Sequence, residues 1–147
     1  MKLSIVIVSW NTKDLLEACL ASVYAYPLNQ PFEVWVVDNQ SNDDTVGMVR
    51  ERFPQVELIA SNENLGFAGG NNRAIPHCRG EYVLLLNPDT EVKPEALNEL
   101  VAFMDAHPEA GAAGSRLLNG DGSLQPSCHP MPTLSREFWR MFDLDAV

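Results

Sequence analysis

Short apolar runs rich in β-branched residues alternate along this chain with segments whose apolar residues recur at helical spacing. The first run, residues 3–9, is apolar at almost every position, which is typical of a strand buried on both faces. Further runs occupy residues 32–37, 56–60 and 81–86, and we expect the last of them to be apolar and covered on both faces too. Strands joined by helical crossovers form parallel sheets, so the pattern predicts an α/β fold with a mostly parallel central sheet flanked by helices on both faces.

The segments between these runs predict the helices. Five apolar residues form the stripe of the first helix: Leu15, Leu16, Cys19, Leu20 and Val23. Asn11 or Thr12 is expected to cap this helix, and Pro27 to end it. A second helix is expected from the capping residues at 41–45 to about residue 53, a third after a Gly/Asn loop at 61–72, and a fourth from Pro94 to about residue 106.

The last third of the chain carries weaker signals. Residues 111–118 predict a further strand, and Asn119-Gly-Asp-Gly122 predicts a chain reversal. A Pro-rich stretch follows, and then a short amphipathic helix is expected near residues 134–142. With 147 residues, the chain has the length of a single domain, which we assign to residues 1–147.

Charge and cysteine content exclude several classes of function. Ten Lys and Arg against twenty Asp and Glu give a net charge of −10, which disfavours binding to nucleic acid or to anionic lipid. An anionic ligand would therefore need a cation, such as a metal ion, to hold it. Three cysteines without a C-x-x-C pair encode neither a disulfide framework nor a zinc knuckle. No apolar run is long enough to span a bilayer, and we expect a cytoplasmic protein.

Ligands of open parallel sheets bind beyond the carboxyl ends of the strands, and unusual residues fall at those points. Asp38 follows the second run, where it can accept hydrogen bonds from a nucleotide or simply form a turn. The stretch 62–73 combines three glycines with Asn71, Asn72 and Arg73, and these side chains can donate hydrogen bonds near a helix start. It is not a dinucleotide fingerprint, because that motif would follow the first strand, where residues 10–14 contain no glycine.

The fourth run ends in Asn87-Pro-Asp-Thr90. Asp89, directly after a buried strand, is well placed to hold a hard cation that bridges diphosphate oxygens, although Asn-Pro-Asp turns are common in proteins of every kind. The three histidines, at positions 77, 107 and 129, are scattered and are expected to be packed or solvated. Asp143 and Asp145 follow no apolar strand, so we read them as an exposed chain end.

Taken together, these segments resemble the nucleotide-binding half of a family 2 glycosyltransferase, a class with the GT-A fold. The resemblance covers roughly residues 2–135 and rests on segments 3–11, 36–45, 64–72, 80–89 and 118–125. The motifs Gly-Phe-Ala-Gly-Gly-Asn-Asn and Leu-Asn-Pro-Asp-Thr are most similar to those of the branch that contains bacterial rhamnosyltransferases.

The resemblance implies a role for each candidate site residue. Ser9, Trp10 and Asn11 would border the base of a nucleotide sugar, and Asp38 would accept a hydrogen bond from its uracil or thymine ring. Asn72 and its neighbours Asn71 and Arg73 would complete the nucleoside pocket. Asp89 would bind Mg²⁺ or Mn²⁺ as the second acid of the family's D-x-D motif, whose first acid is replaced here by Asn87.

The implied reaction transfers a sugar, with inversion, from a UDP- or dTDP-sugar, for example dTDP-rhamnose, to a cell-surface polysaccharide or lipid-linked acceptor. The resemblance places the full-length protein at the inner face of the membrane. The catalytic base of such enzymes comes later in the chain, and none of Asp121, Asp143 and Asp145 can be assigned to it. We therefore expect a donor-binding part that is incomplete at its C-terminus and that self-associates, as a homo-oligomer, through apolar surface left uncovered.

Two other functions stay open at this point. The chain could be a module that binds a nucleotide sugar, or another protein, without catalysing transfer. It could also be an NAD-binding domain of the Rossmann type, against which the absent glycine fingerprint already counts.

Overall fold

The computed structural model describes residues 1–126, which contain a four-stranded sheet. Its strands are β1 (Leu3–Ser9), β2 (Phe32–Asp38), β3 (Glu57–Ala60) and β4 (Tyr82–Leu86). All of them pair in parallel, in the order β3-β2-β1-β4. The predicted parallel sheet is confirmed, with β1 and β2 at its centre.

Four α-helices lie within residues 1–126: α1 (Lys13–Ala25), α2 (Thr45–Arg52), α3 (Gly66–Ala74) and α4 (Ala96–Ala106). Apolar residues of α1, α2 and α4 form the main core with one face of β1 and β2. Ala74 of α3 packs with Val6, Val8 and Val37 on the other face of these strands. Helices thus cover both faces of the central strands, as predicted. No helix among residues 1–126 is both long and apolar enough to cross a bilayer.

The predicted stripe of α1 is confirmed except at one end. Leu16, Cys19, Leu20 and Val23 are fully buried, whereas Leu15 is 51% exposed. Leu15 lies one residue from Leu16, and one residue is about 100° of rotation around a helix. Its side chain therefore falls outside the stripe that faces the sheet.

The predicted ends of α1 are confirmed in position, with Thr12 at the N-cap and the last helical residue, Ala25, shortly before Pro27, but the expected side-chain capping bond does not form. Thr12 occupies the cap position without a side-chain bond to the helix, because its hydroxyl is 2.9 Å from Ser9 Oγ. The backbone N–H of Lys13 instead donates to Asp43 Oδ2 at 2.9 Å, from the crossover after β2. Asn11 has a left-handed φ of 52°, and its side chain caps nothing in α1. A cap supplied from a distant segment leaves no local sequence pattern.

The stretch 61–72 is largely helix rather than loop, because α3 already begins at Gly66. Asn64 Oδ1 accepts a hydrogen bond from the backbone N–H of Gly66 at 2.9 Å, which helps to order the start of the helix. Glycine at position 70 lets α3 approach β1 closely, since a Cβ there would lie 2.7 Å from Val8 Cγ1. Gly70, which the sequence pattern placed in a loop, therefore serves helix–sheet packing.

The expectation that β4 is covered on both faces is wrong for the part of the chain that the structure describes. Tyr82, Leu84 and Leu86 pack against the main core, but Val83 and Leu85 are 41% and 46% exposed. The register pairs Leu85 with Val6, which packs with α3. The side chains of Val83 and Leu85 therefore point to the α3 side of the sheet. An apolar run alone does not reveal that β4 is an edge strand of this sheet.

A second compact unit begins at Gly114 and is described only to residue 126. It contains an antiparallel hairpin of β5 (Leu117–Leu118) and β6 (Leu124–Gln125). The predicted reversal at residues 119–122 is confirmed, whereas the predicted strand from residue 111 begins only at Leu117. The helix expected near residues 134–142, His129, Asp143 and Asp145 lie outside the described residues.

A buried carboxylate joins the amino ends of the strands. Glu33 on β2 accepts hydrogen bonds from Ser4 Oγ and from the backbone N–H of Arg79, both at 2.6 Å, and pairs with the Arg79 guanidinium. Burial alone raises the pKa of Glu33, but these hydrogen bonds outweigh burial and lower the pKa below its ordinary value of 4.5.

The substitution Glu33→Gln is expected to lower the free energy of unfolding by about 1–2 kcal/mol at pH 7, because it removes the charge that Arg79 faces. A carboxylate whose pKa is lowered by folding stabilises the protein above its unfolded-state pKa, and the contribution is lost as the pH falls through its folded-state pKa. Urea unfolding should therefore show the gap between variant and wild type closing below about pH 4.5. Glu81→Gln, at an exposed ion pair with Lys2, is the control and should change stability little. An equal gap at pH 3 and pH 7 would contradict the assignment.

Candidate functional site

The carboxyl ends of the strands form one edge of the sheet. Ser9 at the end of β1 lies beside Asp38 at the end of β2, and Asp38 lies beside Ala60 at the end of β3. On the other side of β1, β4 ends at Leu86, one residue before Asn87. Two strand spacings, about 10 Å, therefore separate the chain at Asp38 from the chain at Asn87, and both residues belong to the same edge.

Asp38 is buried and its carboxylate is only half satisfied. Asp38 is 2% exposed, and its Oδ2 atom accepts a hydrogen bond from the backbone N–H of Ser41 at 3.0 Å. Oδ1 has no hydrogen-bond partner among residues 1–126. Because buried polar atoms are nearly always paired, this oxygen makes Asp38 a candidate contact for a ligand that donates a hydrogen bond.

Two asparagines repeat this arrangement. Asn39 and Asn71 are 2% and 4% exposed, and the Oδ1 atom of each has no partner in the described part of the chain. Their Nδ2 atoms donate to the carbonyl oxygens of Gly66 at 3.1 Å and Phe67 at 2.9 Å. These bonds fix the orientation of both amides, so that their oxygens are the free atoms.

Asn39 is absent from the sequence-based candidates, although it directly follows Asp38. An Asp-Asn pair at a strand end is typical of a turn, and a turn would expose the asparagine. The structure buries it instead, because its side chain reaches the first residue of α3. Its adjacency to Asp38 was the only available signal.

The loops after β1 and β2 are joined by hydrogen bonds. The backbone N–H of Asn11 donates to Ser41 Oγ at 2.9 Å, and that of Asn42 donates to Asn11 Oδ1 at 2.8 Å. Asn11, Gln40 and Asp44 have left-handed φ values of 52°, 62° and 63°. Such strained backbone persists where surrounding contacts hold it, which is common at binding sites.

The remaining residues predicted to border the site differ in whether their side chains are free to contact a ligand. The hydroxyl of the buried Ser9 is engaged by Thr12, whereas Trp10 is 55% exposed at the carboxyl edge. A cavity of about 410 Å³ opens beside the end of β3, with Arg73 among its lining residues. It adjoins Asp38, because the lining residue Ser61 donates its N–H to the Asp38 carbonyl oxygen at 2.9 Å. Asn72 is exposed on α3.

The turn after β4 carries the candidate metal residue. The backbone N–H of Thr90 donates to the Asn87 carbonyl oxygen at 3.2 Å, and the residues Asn87 and Asp89 are both exposed. Residues 1–126 contain no group of three or more His, Cys, Asp or Glu side chains that could hold a metal ion. The predicted packing or solvation of histidines holds for His77, which stacks on Trp35, and for His107, which pairs with Glu109.

Comparison with known proteins gives this edge its context. The family model described as "Glycosyl transferase family 2" matches residues 4–143. N-acetylglucosaminyl-diphospho-decaprenol L-rhamnosyltransferase of Mycobacterium tuberculosis is 32% identical in an alignment 145 positions long, which covers 91% of this chain and 47% of that protein. This chain thus spans about half the length of that curated relative.

Two solved structures share the fold. TarS of S. aureus (residues 1–349) in complex with UDP matches with a TM-score of 0.66 and 28% identity, over 74% of this chain and 33% of that one. The mannosyltransferase PcManGT of Pyrobaculum calidifontis, in complex with GDP-Man and Mn²⁺, matches with a TM-score of 0.63 and 28% identity, over 70% of this chain and 32% of that one. With a family model that matches nearly its whole length, the chain belongs to glycosyl transferase family 2.

Proposed function

We propose that residues 1–147 are the donor-binding part of a glycosyltransferase that transfers a sugar, with inversion, from a UDP- or dTDP-sugar to a cell-surface polysaccharide or lipid-linked acceptor. The observation that carries the proposal is the set of buried acceptor oxygens on Asp38, Asn39 and Asn71 that have no hydrogen-bond partner among residues 1–126. The rhamnosyltransferase of M. tuberculosis and the UDP complex of TarS support this reading. The full-length protein would act on the cytoplasmic side, at the inner face of the membrane.

The unpaired oxygens suit the donors of a nucleoside. Uracil and thymine each present one ring N–H, and the sugar of the nucleoside adds hydroxyl groups. The Asp38 carboxylate, as a charged acceptor, would take the ring N–H, because hydrogen bonds to charged groups are the stronger ones. The cavity beside Arg73 would take the adjoining part of the nucleoside, and the exposed Trp10 would cover it from the β1 side.

The oxygen atoms of the turn after β4 fit Mg²⁺ or Mn²⁺, provided that the diphosphate and water supply the remaining ligands. Both ions prefer oxygen ligands, and Mg²⁺ in particular is often bound by one or two carboxylates with the remaining positions filled by phosphate oxygens and water. Asp89 supplies one carboxylate, and Asn87 supplies an amide oxygen in place of a second. The ion would therefore bind together with the diphosphate rather than before it. The Mn²⁺ complex of PcManGT supports this choice of ion.

The residues of this chain would bind and orient the donor, and the bound cation would neutralise the charge that grows on the departing diphosphate. In the reaction, the acceptor oxygen forms a bond to the anomeric carbon as the bond from that carbon to the diphosphate oxygen breaks. The proton of the acceptor hydroxyl passes to a carboxylate acting as general base. That base is assigned to no residue of this chain.

Calorimetric titration of the chain with UDP, dTDP and NAD, each with and without Mn²⁺, tests this function. We expect UDP or dTDP to bind, more tightly with Mn²⁺, and NAD not to bind. Binding of NAD without metal would overturn the proposal in favour of a Rossmann-type domain. Transfer or donor hydrolysis by the full-length protein then separates an enzyme from a non-catalytic binding module.

A further inference from the structure

The turn that carries Asp89 is anchored to α1 on both of its sides. On the β4 side, the Cys19 thiol donates to the Asn87 carbonyl oxygen at 3.6 Å. On the far side, the backbone N–H of Val92 donates to Ser22 Oγ at 2.8 Å. The Ser22 hydroxyl in turn donates to the Cys19 carbonyl oxygen at 2.7 Å. All side-chain hydrogen bonds that join residues 87–93 to the rest of the described protein therefore end on two residues of α1.

The anchor itself is rigid. Cys19 lies on the fully buried stripe of α1, between Leu16 and Val23, and this stripe packs in the main core. Ser22 uses its hydroxyl as donor and acceptor at once, which fixes its direction.

Two features of the turn make such an anchor useful for holding a cation: its position at the sheet edge and its exposure. It leaves an edge strand of the described sheet, and its Asn87 and Asp89 residues are exposed. A cation held by one carboxylate and shared with a diphosphate tolerates little displacement, because Mg²⁺ demands near-ideal octahedral geometry. Groups that hold a ligand in place commonly change metal affinity by 10- to 100-fold when they are removed.

We propose that Ser22, together with Cys19, is a positioning residue that holds the Asn87–Thr90 turn where Asp89 can share a cation with the donor diphosphate. The proposal rests on the proposed function. It assigns to α1 a task beyond core packing, which neither its helical stripe nor the candidate site residues suggest.

The test compares three variants of the whole chain: Ser22→Ala, Ser22→Thr, which keeps the hydroxyl, and Val23→Ala. Val23 is fully buried on the same helix, and its truncation serves as the destabilising control. The first measurement is hydrogen–deuterium exchange of the backbone amides of residues 87–93 without metal. The second is the factor by which Mn²⁺ strengthens binding of UDP or dTDP, whichever the wild type binds more tightly.

We expect Ser22→Ala to speed exchange in residues 87–93 by about tenfold and to reduce the Mn²⁺ factor by about tenfold, the low end of the range for such supporting groups. Affinity without metal should stay unchanged, and Ser22→Thr should restore both values. Val23→Ala should lower the melting temperature and leave the Mn²⁺ factor at its wild-type value.

Three results would overturn the proposal, and they are distinguishable. An unchanged Mn²⁺ factor in Ser22→Ala would show that the anchor does not serve the cation. An equal loss in Val23→Ala would show that Ser22 acts only through stability. Nucleotide binding by the wild type without any Mn²⁺ factor would refute the metal part of the proposed function itself, and the positioning role would fall with it.

Discussion

The substitution Asp38→Asn is expected to weaken binding of UDP or dTDP by about 100-fold without lowering the stability of the free protein. In the wild type, Oδ2 accepts a hydrogen bond from Ser41 N–H, and Oδ1 has no partner within the described part of the chain. The asparagine oxygen would keep the Ser41 bond, which turns its NH₂ group toward the ligand. A donor would then face the donor of the base, and loss of a charged hydrogen bond of about 1.5–3 kcal/mol corresponds to 10- to 100-fold in affinity.

The stability of this variant is the second part of the prediction. A buried, unpaired carboxylate oxygen costs the free protein about 1–3 kcal/mol, and asparagine removes its charge. The melting temperature should therefore stay equal or rise, as is common when a binding residue is replaced. Asp44→Asn is the matched control, because Asp44 is an exposed carboxylate in the same crossover, and it pairs with Lys13 at 3.5 Å. Wild-type affinity in Asp38→Asn would remove Asp38 from the nucleotide site.

The parallel sheet was predictable because its signal is local. A run such as residues 3–9 is buried on both faces, and continuous burial leaves a continuous apolar sequence. The same reasoning failed at β4, where Val83 and Leu85 are equally apolar but half exposed. Their exposure depends on the side of β1 on which β4 pairs and on how far α3 extends over the sheet. The sequence of residues 81–86 predicts neither.

The candidate site was predictable to the level of the sheet edge. Asp38 and Asp89 could be located because the carboxyl ends of parallel strands share an edge. The burial of Asn39 and the cap from Asp43 depend on contacts between segments far apart in the sequence, to Gly66 and to Lys13. The sequence pattern placed Gly70 in a loop, because glycine is typical of flexible backbone. Glycine is equally suited to close packing, and here Gly70 packs against Val8.

The substitution Asp89→Ala is expected to abolish the effect of Mn²⁺ on nucleotide binding while leaving affinity without metal unchanged. Asp89 is the only carboxylate of the Asn87–Thr90 turn, and with a net charge of −10 the protein would need a cation to attract the diphosphate of the proposed donor. Without the carboxylate, the ion would keep only an amide oxygen and water as non-phosphate ligands. Affinity for UDP or dTDP in Mn²⁺ should fall by about 100-fold, a loss of about 2.7 kcal/mol.

Two comparisons make this expectation specific to Asp89. Glu91→Ala removes an exposed carboxylate two residues away, which pairs with Lys93 at 3.5 Å, and should retain the full Mn²⁺ effect. UMP, which has one phosphate, should show little Mn²⁺ effect in either variant if the ion is shared between Asp89 and the diphosphate. Titrations of wild type, Asp89→Ala and Glu91→Ala with UDP and UMP thus separate a local charge effect from cation binding. An equal loss in both variants would indicate that net charge, rather than a ligand at position 89, governs affinity.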